Sequence, residues 1–157
     1  MYNNIYRNKN LKRENPEAFL ENEFFGAKSQ LYVCSPAMFA NIYYLEKEKA
    51  KRNDNSLYFI NFEFEVINEK RNNGYYKDKI QDILSFSLRS SDLISWFTNN
   101  QLALLLIDLE KSEVNKIIKR IERNFVDYDI LKEINITVKI KDNNSHNKVM
   151  KFWILLQ

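Results

Sequence analysis

The run from Ser56 to Val66 constrains this chain most. Ile60, Phe62, Phe64 and Val66 point one way and Asn61, Glu63 and Glu65 the other, which is the period of a β-strand with one apolar face. The segments around it alternate in type. Leu31-Tyr32-Val33-Cys34 reads as a short strand. Ser35-Pro36 then signals a helix start, with a capping hydroxyl followed by proline at the first helical position. Phe39, Ile42, Tyr43 and Ala50 fit one face of that helix over about 37–51, and Asn53-Asp54-Asn55 ends it.

A polar loop through Arg71-Asn72-Asn73-Gly74 leads to a second helix over about 76–89, which buries Ile80, Ile83, Leu84 and Leu88. Asp92 to Phe97 and Gln101 to Asp108 read as strands. Thr98-Asn99-Asn100 makes a tight hairpin between them, because asparagine tolerates the positive φ of such turns. Asp108 is the expected N-cap of a third helix carrying Val114, Ile117, Ile118, Ile121 and Phe125 at helical spacing. Ile134, Ile136, Val138 and Ile140 alternate with Asn135, Thr137 and Lys139 in another strand. After the Asn143-Asn144-Ser145 turn, Val149 to Leu156 is a final strand, with a helix as the alternative. The core order β-α-β-β-α-β predicts an α+β, ferredoxin-like domain over 31–157, a mostly antiparallel sheet with helices on one face. Residues 1–30 are polar apart from Phe19, Leu20, Phe24 and Phe25, and read as an arm that docks weakly or carries one short helix.

Composition removes most familiar sites. The chain has 157 residues but only two glycines, and Gly26 and Gly74 lie too far apart for a glycine-rich phosphate loop. A lone His146 and a lone Cys34 exclude His/Cys metal clusters and disulfides. No cofactor and no metal are expected, and a reducing, cytoplasmic setting is the default. A net charge of +3 is too dilute to indicate nucleic acid. The run Glu46 to Arg52 mixes signs and reads as a solvated helix end. No membrane is expected either. Leu102 to Ile107 is far too short to span one, and the first residues hold no apolar signal core.

One stretch is more specific. Arg89-Ser90-Ser91-Asp92 is followed by Leu93 to Phe97, then Thr98-Asn99-Asn100-Gln101 and the apolar run Leu102 to Leu106. In spacing this resembles the R-x-x-D element, hairpin and strand of the palm domain of diguanylate cyclases, the GGDEF family. Pro36–Arg52 with Leu57 to Glu63 resembles the family's opening helix and strand, and Ile136 to Ile140 a later one. The resemblance covers roughly 36–141 and implies bacterial cyclic di-GMP signalling.

Its departures imply a pseudo-enzyme. Active members hold two metal ions on a strand carboxylate and a hairpin carboxylate. Those positions fall here at Asn61, and at Asn100 and Gln101. Thr98 and Asn99 replace the hairpin glycines. The link from first strand to second helix is about fifteen residues shorter than usual, judged against ordinary loop lengths, leaving Asn68 as the one remnant of a guanine site. What survives is Arg89 and Asp92. In the family this pair can bind cyclic di-GMP, the Arg fork on guanine or phosphate and the Asp on the guanine edge; the two can equally cap or pair with each other.

Other candidates carry bland readings beside sharp ones. Glu63 and Glu65 suggest paired carboxylates, but also a cross-strand charge network with Lys139 and Lys141 on an open sheet face. Cys34 near a helix start is expected to be a buried structural thiol. His146 reads as exposed. The aromatic residues lack the RNA-recognition signature, and the nearest stretch, Asn61-Phe62-Glu63-Phe64, is acidic where phosphate contacts would want bases, so no nucleic acid is expected. Trp96-Phe97 and Phe152-Trp153 suit a protein interface or the core. The leading expectation is an inactive regulatory module that acts through a protein partner or self-association. The alternative is a cyclic dinucleotide receptor using Arg89 and Asp92.

Overall fold

A computed structural model describes residues 31–67, 73–143 and 147–152, the last stretch and residue 73 by backbone alone. The arm expected over 1–30 lies outside the described residues, as do Asn68, His146, Trp153 and the last residues assigned to the final strand.

The described residues form a six-stranded sheet in the order β1-β3-β4-β2-β5-β6. The strands are β1 (Tyr32–Val33), β2 (Leu57–Val66), β3 (Leu93–Thr98), β4 (Gln101–Ile107), β5 (Ile134–Asp142) and β6 (Asn147–Phe152). The helices are α1 (Pro36–Asn53), α2 (Asn73–Ser87) and α3 (Lys111–Asp127). Among the described residues only β1, beside β3, runs parallel to its neighbour; the remaining described pairs are antiparallel. β2, α2, β3, β4, α3 and β5 therefore make the expected split βαβ unit. Among the described residues no helix is long and apolar enough to cross a membrane.

Alternation along β2 and β5 builds the main core. Ile60, Phe62 and Phe64 join Ile134, Ile136, Val138 and Ile140 on one face, and α2 and α3 lay Ile80, Ile83, Leu84, Ile117, Ile121 and Phe125 onto it. Removing this area from water is the dominant favourable contribution to folding.

The second face differs from expectation. It is not open, because α1 packs there: Phe39 and Ala50 bury against Leu57, Leu93, Ala103 and Leu105, with Ile42, Tyr43 and Phe59 half-buried beside them. Helices therefore lie on both faces. The reason is legible in β4, whose apolar run is buried on both sides, the pattern of a central strand covered above and below. Along β2 the second face changes from apolar Leu57 and Phe59 to polar Asn61, Glu63 and Glu65. Those polar residues share the face of the second cluster but are not part of it.

Local signals held with adjustments. The Ser35 hydroxyl accepts from Met38 N at 3.2 Å and caps α1. α2 begins at Asn73 and stops at Ser87, so Leu88 packs on the core from the connection that follows. β6 begins at Asn147 rather than Val149. The cap of α3 is Glu110, not Asp108: Glu110 N donates to Glu113 Oε2 at 2.9 Å in a capping box. Asp108 instead takes a left-handed φ of 56° and donates its N–H to Ser56 O at 2.9 Å. In the hairpin neither Asn99 nor Asn100 has positive φ. The turn is held by side chains: Asn100 N donates to Thr98 Oγ1 at 3.3 Å, and Thr98 Oγ1 donates to Asn100 Oδ1 at 2.7 Å. A register shift between Trp96 and Thr98 accompanies it.

Candidate functional site

The β3–β4 hairpin places its residues against the outer half of β2. Gln101 pairs with Glu63 across β4–β2, and Asn61 pairs with Ala103 on one side and Lys139 on the other. Residues paired in register share a face, so Asn61, Glu63, Gln101, Thr137 and Lys139 form one polar patch. Asn100 sits in the turn above it and accepts from Phe64 N through its carbonyl at 2.8 Å. The sequence positions Asn61, Asn100 and Gln101 are thus brought to one end of the sheet.

The electrostatics of the patch centre on Glu63. Lys139 Nζ lies 2.7 Å from Glu63 Oε1, and Asn61 Nδ2 donates to the same oxygen at 3.2 Å. Glu65 accepts from Asn135 Nδ2 at 3.4 Å. The expected charge network therefore exists as one ion pair and two amide contacts. Lys141 is exposed and enters none of the ion pairs of the described residues. Among the described residues no group of three or more His, Cys, Asp or Glu side chains converges to hold a metal ion.

Arg89 and Asp92 lie at the other end of β3, about 20 Å from the hairpin at the rise of an extended strand. They bind each other. Asp92 Oδ1 accepts from Arg89 Nη2 at 2.9 Å and Nε at 3.2 Å, Oδ2 accepts from Arg89 N at 2.8 Å, and Asp92 N donates to Arg89 O at 3.0 Å. Asp92 is 1% exposed and Arg89 45%. The four-residue turn between α2 and β3 is closed by its own ends, with the carboxylate filled and one flank of the guanidinium in water.

A neighbouring network escaped the sequence. Arg120 on α3 donates through Nε to Ser87 O at 2.8 Å and also through Nη2, while Asn124 Nδ2 donates to Ser87 Oγ at 2.7 Å. These bonds cap the C-terminus of α2 from a different helix. No local spacing announces them, since the partners are 33 and 37 residues apart.

The remaining candidates have structural settings. Trp96 is half-buried, packed on the main core, with Nε1 donating to Gln81 Oε1 at 3.3 Å and Lys77 Nζ 5.3 Å above its ring. Phe97 is exposed on the other face and meets Phe39 edge-on at 5.8 Å. Cys34 is half-buried beside α1, and burial pushes its thiol pKa up against a smaller opposing effect of its main-chain hydrogen bond. Its carbonyl accepts from Ser95 Oγ at 2.8 Å.

No family model matches the sequence, and no curated protein matches it. Solved structures do. A diguanylate cyclase protein from Thermotoga maritima is 17% identical, with a TM-score of 0.58 over 73% of this chain and 82% of that one. The GGDEF domain of DgcB from Caulobacter crescentus in complex with c-di-GMP is 6% identical, with a TM-score of 0.52 over 74% and 75%. The diguanylate cyclase SiaD in complex with its activator SiaC, from Pseudomonas aeruginosa, is 14% identical, with a TM-score of 0.52 over 69% of this chain and 46% of SiaD. At such identities the likeness is one of fold: the chain folds as a GGDEF-type palm domain.

Proposed function

We propose that this chain is a GGDEF-fold module that has lost nucleotidyl transfer and acts through contacts with protein. The observation that carries the reading is the state of Glu63. Two-metal phosphate chemistry needs hard anionic oxygens to hold divalent cations against a triphosphate. The positions that resemble the family's metal ligands carry the amides Asn61, Asn100 and Gln101. Glu63, the carboxylate left between them, already faces the Lys139 ammonium and the Asn61 amide. The residues present do not fit a two-metal site, and no catalytic step is derived through one.

The receptor alternative needs Asp92 to accept from a ligand. That carboxylate is buried, and both its oxygens take hydrogen bonds from Arg89. A dinucleotide would have to break this pairing or bind the exposed flank of Arg89 alone. DgcB was captured with c-di-GMP and SiaD with a protein activator; the closed Arg89–Asp92 turn favours the second kind of interaction for this chain. Calorimetric titration with cyclic di-GMP separates the two readings. The proposal expects no heat for the wild type at high micromolar ligand. Saturable binding that Arg89→Ala abolishes would favour the receptor.

A further inference from the structure

Two connections that serve helices on opposite faces of the sheet come together over the first residues of β2. α1 ends at Asn53, and its left-handed cap Asp54 leads through Asn55 and Ser56 into β2. β4 ends at Ile107, and Asp108 leads through Leu109 to the cap of α3. The connections are tied to each other: Asp108 N donates to Ser56 O at 2.9 Å, and the Ser56 hydroxyl donates to Leu109 O. Asn143 holds the same strand end, its Nδ2 donating to Asn55 O at 2.8 Å and its Oδ1 accepting from Leu57 N at 3.2 Å. Between them lies a cleft of about 520 Å³, within the size range of small-molecule sites.

The rim carries Asp54, Asp108, Glu110 and Glu113 against one cation, Lys111, so four carboxylates and one ammonium leave three negative charges. All five side chains are exposed, and none belongs to an ion pair of the described residues. Glu110 and Glu113 have a structural task, since they form the capping box and complement the positive start of α3. Asp54 and Asp108 have none. Each takes a left-handed φ, 55° and 56°, which glycine or asparagine adopts at least as readily. Neither carboxylate has a hydrogen bond among the described residues, so the turns do not account for these two charges.

A second observation points into the same cleft. Tyr58 lines it while packing in the main core, and is only 9% exposed. Its hydroxyl makes no hydrogen bond among the described residues, yet no fully buried side-chain oxygen there lacks a partner. The hydroxyl therefore reaches the cleft. Burial first, and the charge of Asp142 second, raise its pKa above the ordinary 10.0, so it stays a neutral hydroxyl. A nearly buried polar group without a partner costs free energy that a ligand atom in the cleft recovers.

We infer that this cleft binds a small linear polyamine, with ammonium groups against Asp54 and Asp108 and one N–H donating to the Tyr58 hydroxyl. The chemistry follows from charge and its spread. Three net negative charges select a cation. A metal ion needs several oxygens converging on one point, and among the described residues no group of three or more His, Cys, Asp or Glu side chains is placed to hold one. Carboxylates spread around a rim match charges spaced along a chain, each taking a charge-assisted hydrogen bond. The site is separate from the Glu63 patch. Tyr58 lies about 17 Å earlier along β2 and on the other face of the sheet, so the inference stands whether or not the chain turns over GTP.

The test is calorimetric titration of the full chain with spermidine at about 150 mM salt, which screens loose charge attraction. One saturable site is expected. D54N/D108N keeps the left-handed turns, because asparagine adopts them, and is expected to weaken binding about tenfold or more through lost hydrogen bonds to charged groups. Tyr58→Phe keeps the ring and is expected to weaken binding about two- to tenfold. D82N/D127N removes two exposed acids outside the cleft and is expected to bind as the wild type does. Absence of saturable binding overturns the inference. So does binding that D54N/D108N or Tyr58→Phe leaves unchanged, or that D82N/D127N weakens as much as D54N/D108N. Ca²⁺ that binds more tightly than spermidine and is lost in D54N/D108N would overturn it by making this a metal site. Tighter binding of tetralysine would overturn it by making the occupant a basic peptide. If D54N/D108N fails to fold by circular dichroism, the Tyr58→Phe result decides alone.

Discussion

Lys139 Nζ sits 2.7 Å from Glu63 Oε1 across the β2–β5 ladder, with the Asn61 amide on the same oxygen. A fixed cation from the next strand thus stands beside the one acid among Asn61, Asn100 and Gln101. Because the side chains are 50% and 34% exposed, water screens the pair and its contribution to stability is small.

Glu63→Gln and Lys139→Met are therefore each expected to change unfolding free energy by less than about 1 kcal/mol in urea titrations. A loss above about 3 kcal/mol, as for breaking a buried pair, would show that the patch is structural.

The Arg89–Asp92 turn behaves oppositely. Asp92→Ala removes a buried carboxylate that accepts three hydrogen bonds and leaves the Arg89 N–H without its acceptor. The expected cost is about 2–4 kcal/mol. Arg89→Lys cannot reproduce the two-nitrogen grip on Oδ1 and is expected to lose about 1 kcal/mol or more. Wild-type stability in either variant would mean the turn is held by something else.

Arg120→Ala uncaps the carbonyl at the end of α2 and is expected to cost about 1–2 kcal/mol. Hydrogen exchange should speed up in the last turn of α2 ahead of the sheet. Unchanged exchange there would contradict the capping role.

Cys34 is the only cysteine, so thiol chemistry reports on it alone. Burial raises its pKa above the ordinary value of 9.0, which keeps the thiol neutral in the folded protein. The native chain at pH 8 is expected to react with iodoacetamide more slowly than the urea-unfolded chain. The sign for stability follows: the contribution is full below the unfolded pKa and is lost as pH rises through the higher folded one. Equal native and unfolded rates would place the thiol in water.

Much of this architecture was legible because its signals are local. The alternation of Ile60 to Val66 and of Ile134 to Ile140, and the spacing of Val114 to Phe125, each need only one element to be read. The second covered face was missed although Ala103 and Leu105 advertised it: a strand apolar at every position asks for cover on both sides. Asp108 and Glu110 are both acceptors near a helix start, and backbone conformation, not residue type, decides between them. At the site, hairpin register alone brings Gln101 beside Glu63. The Lys139 partner depends on pairing across 76 residues, and the closure of Arg89 on Asp92 was one of two readings that spacing left open.

The central claim is that this GGDEF-type fold carries out no nucleotidyl transfer. The most direct measurement is chromatographic analysis of the full chain incubated with GTP and Mg²⁺ or Mn²⁺. The account predicts no cyclic di-GMP above the protein-free background. Cyclic product that appears with the wild type and disappears in Glu63→Ala would contradict it.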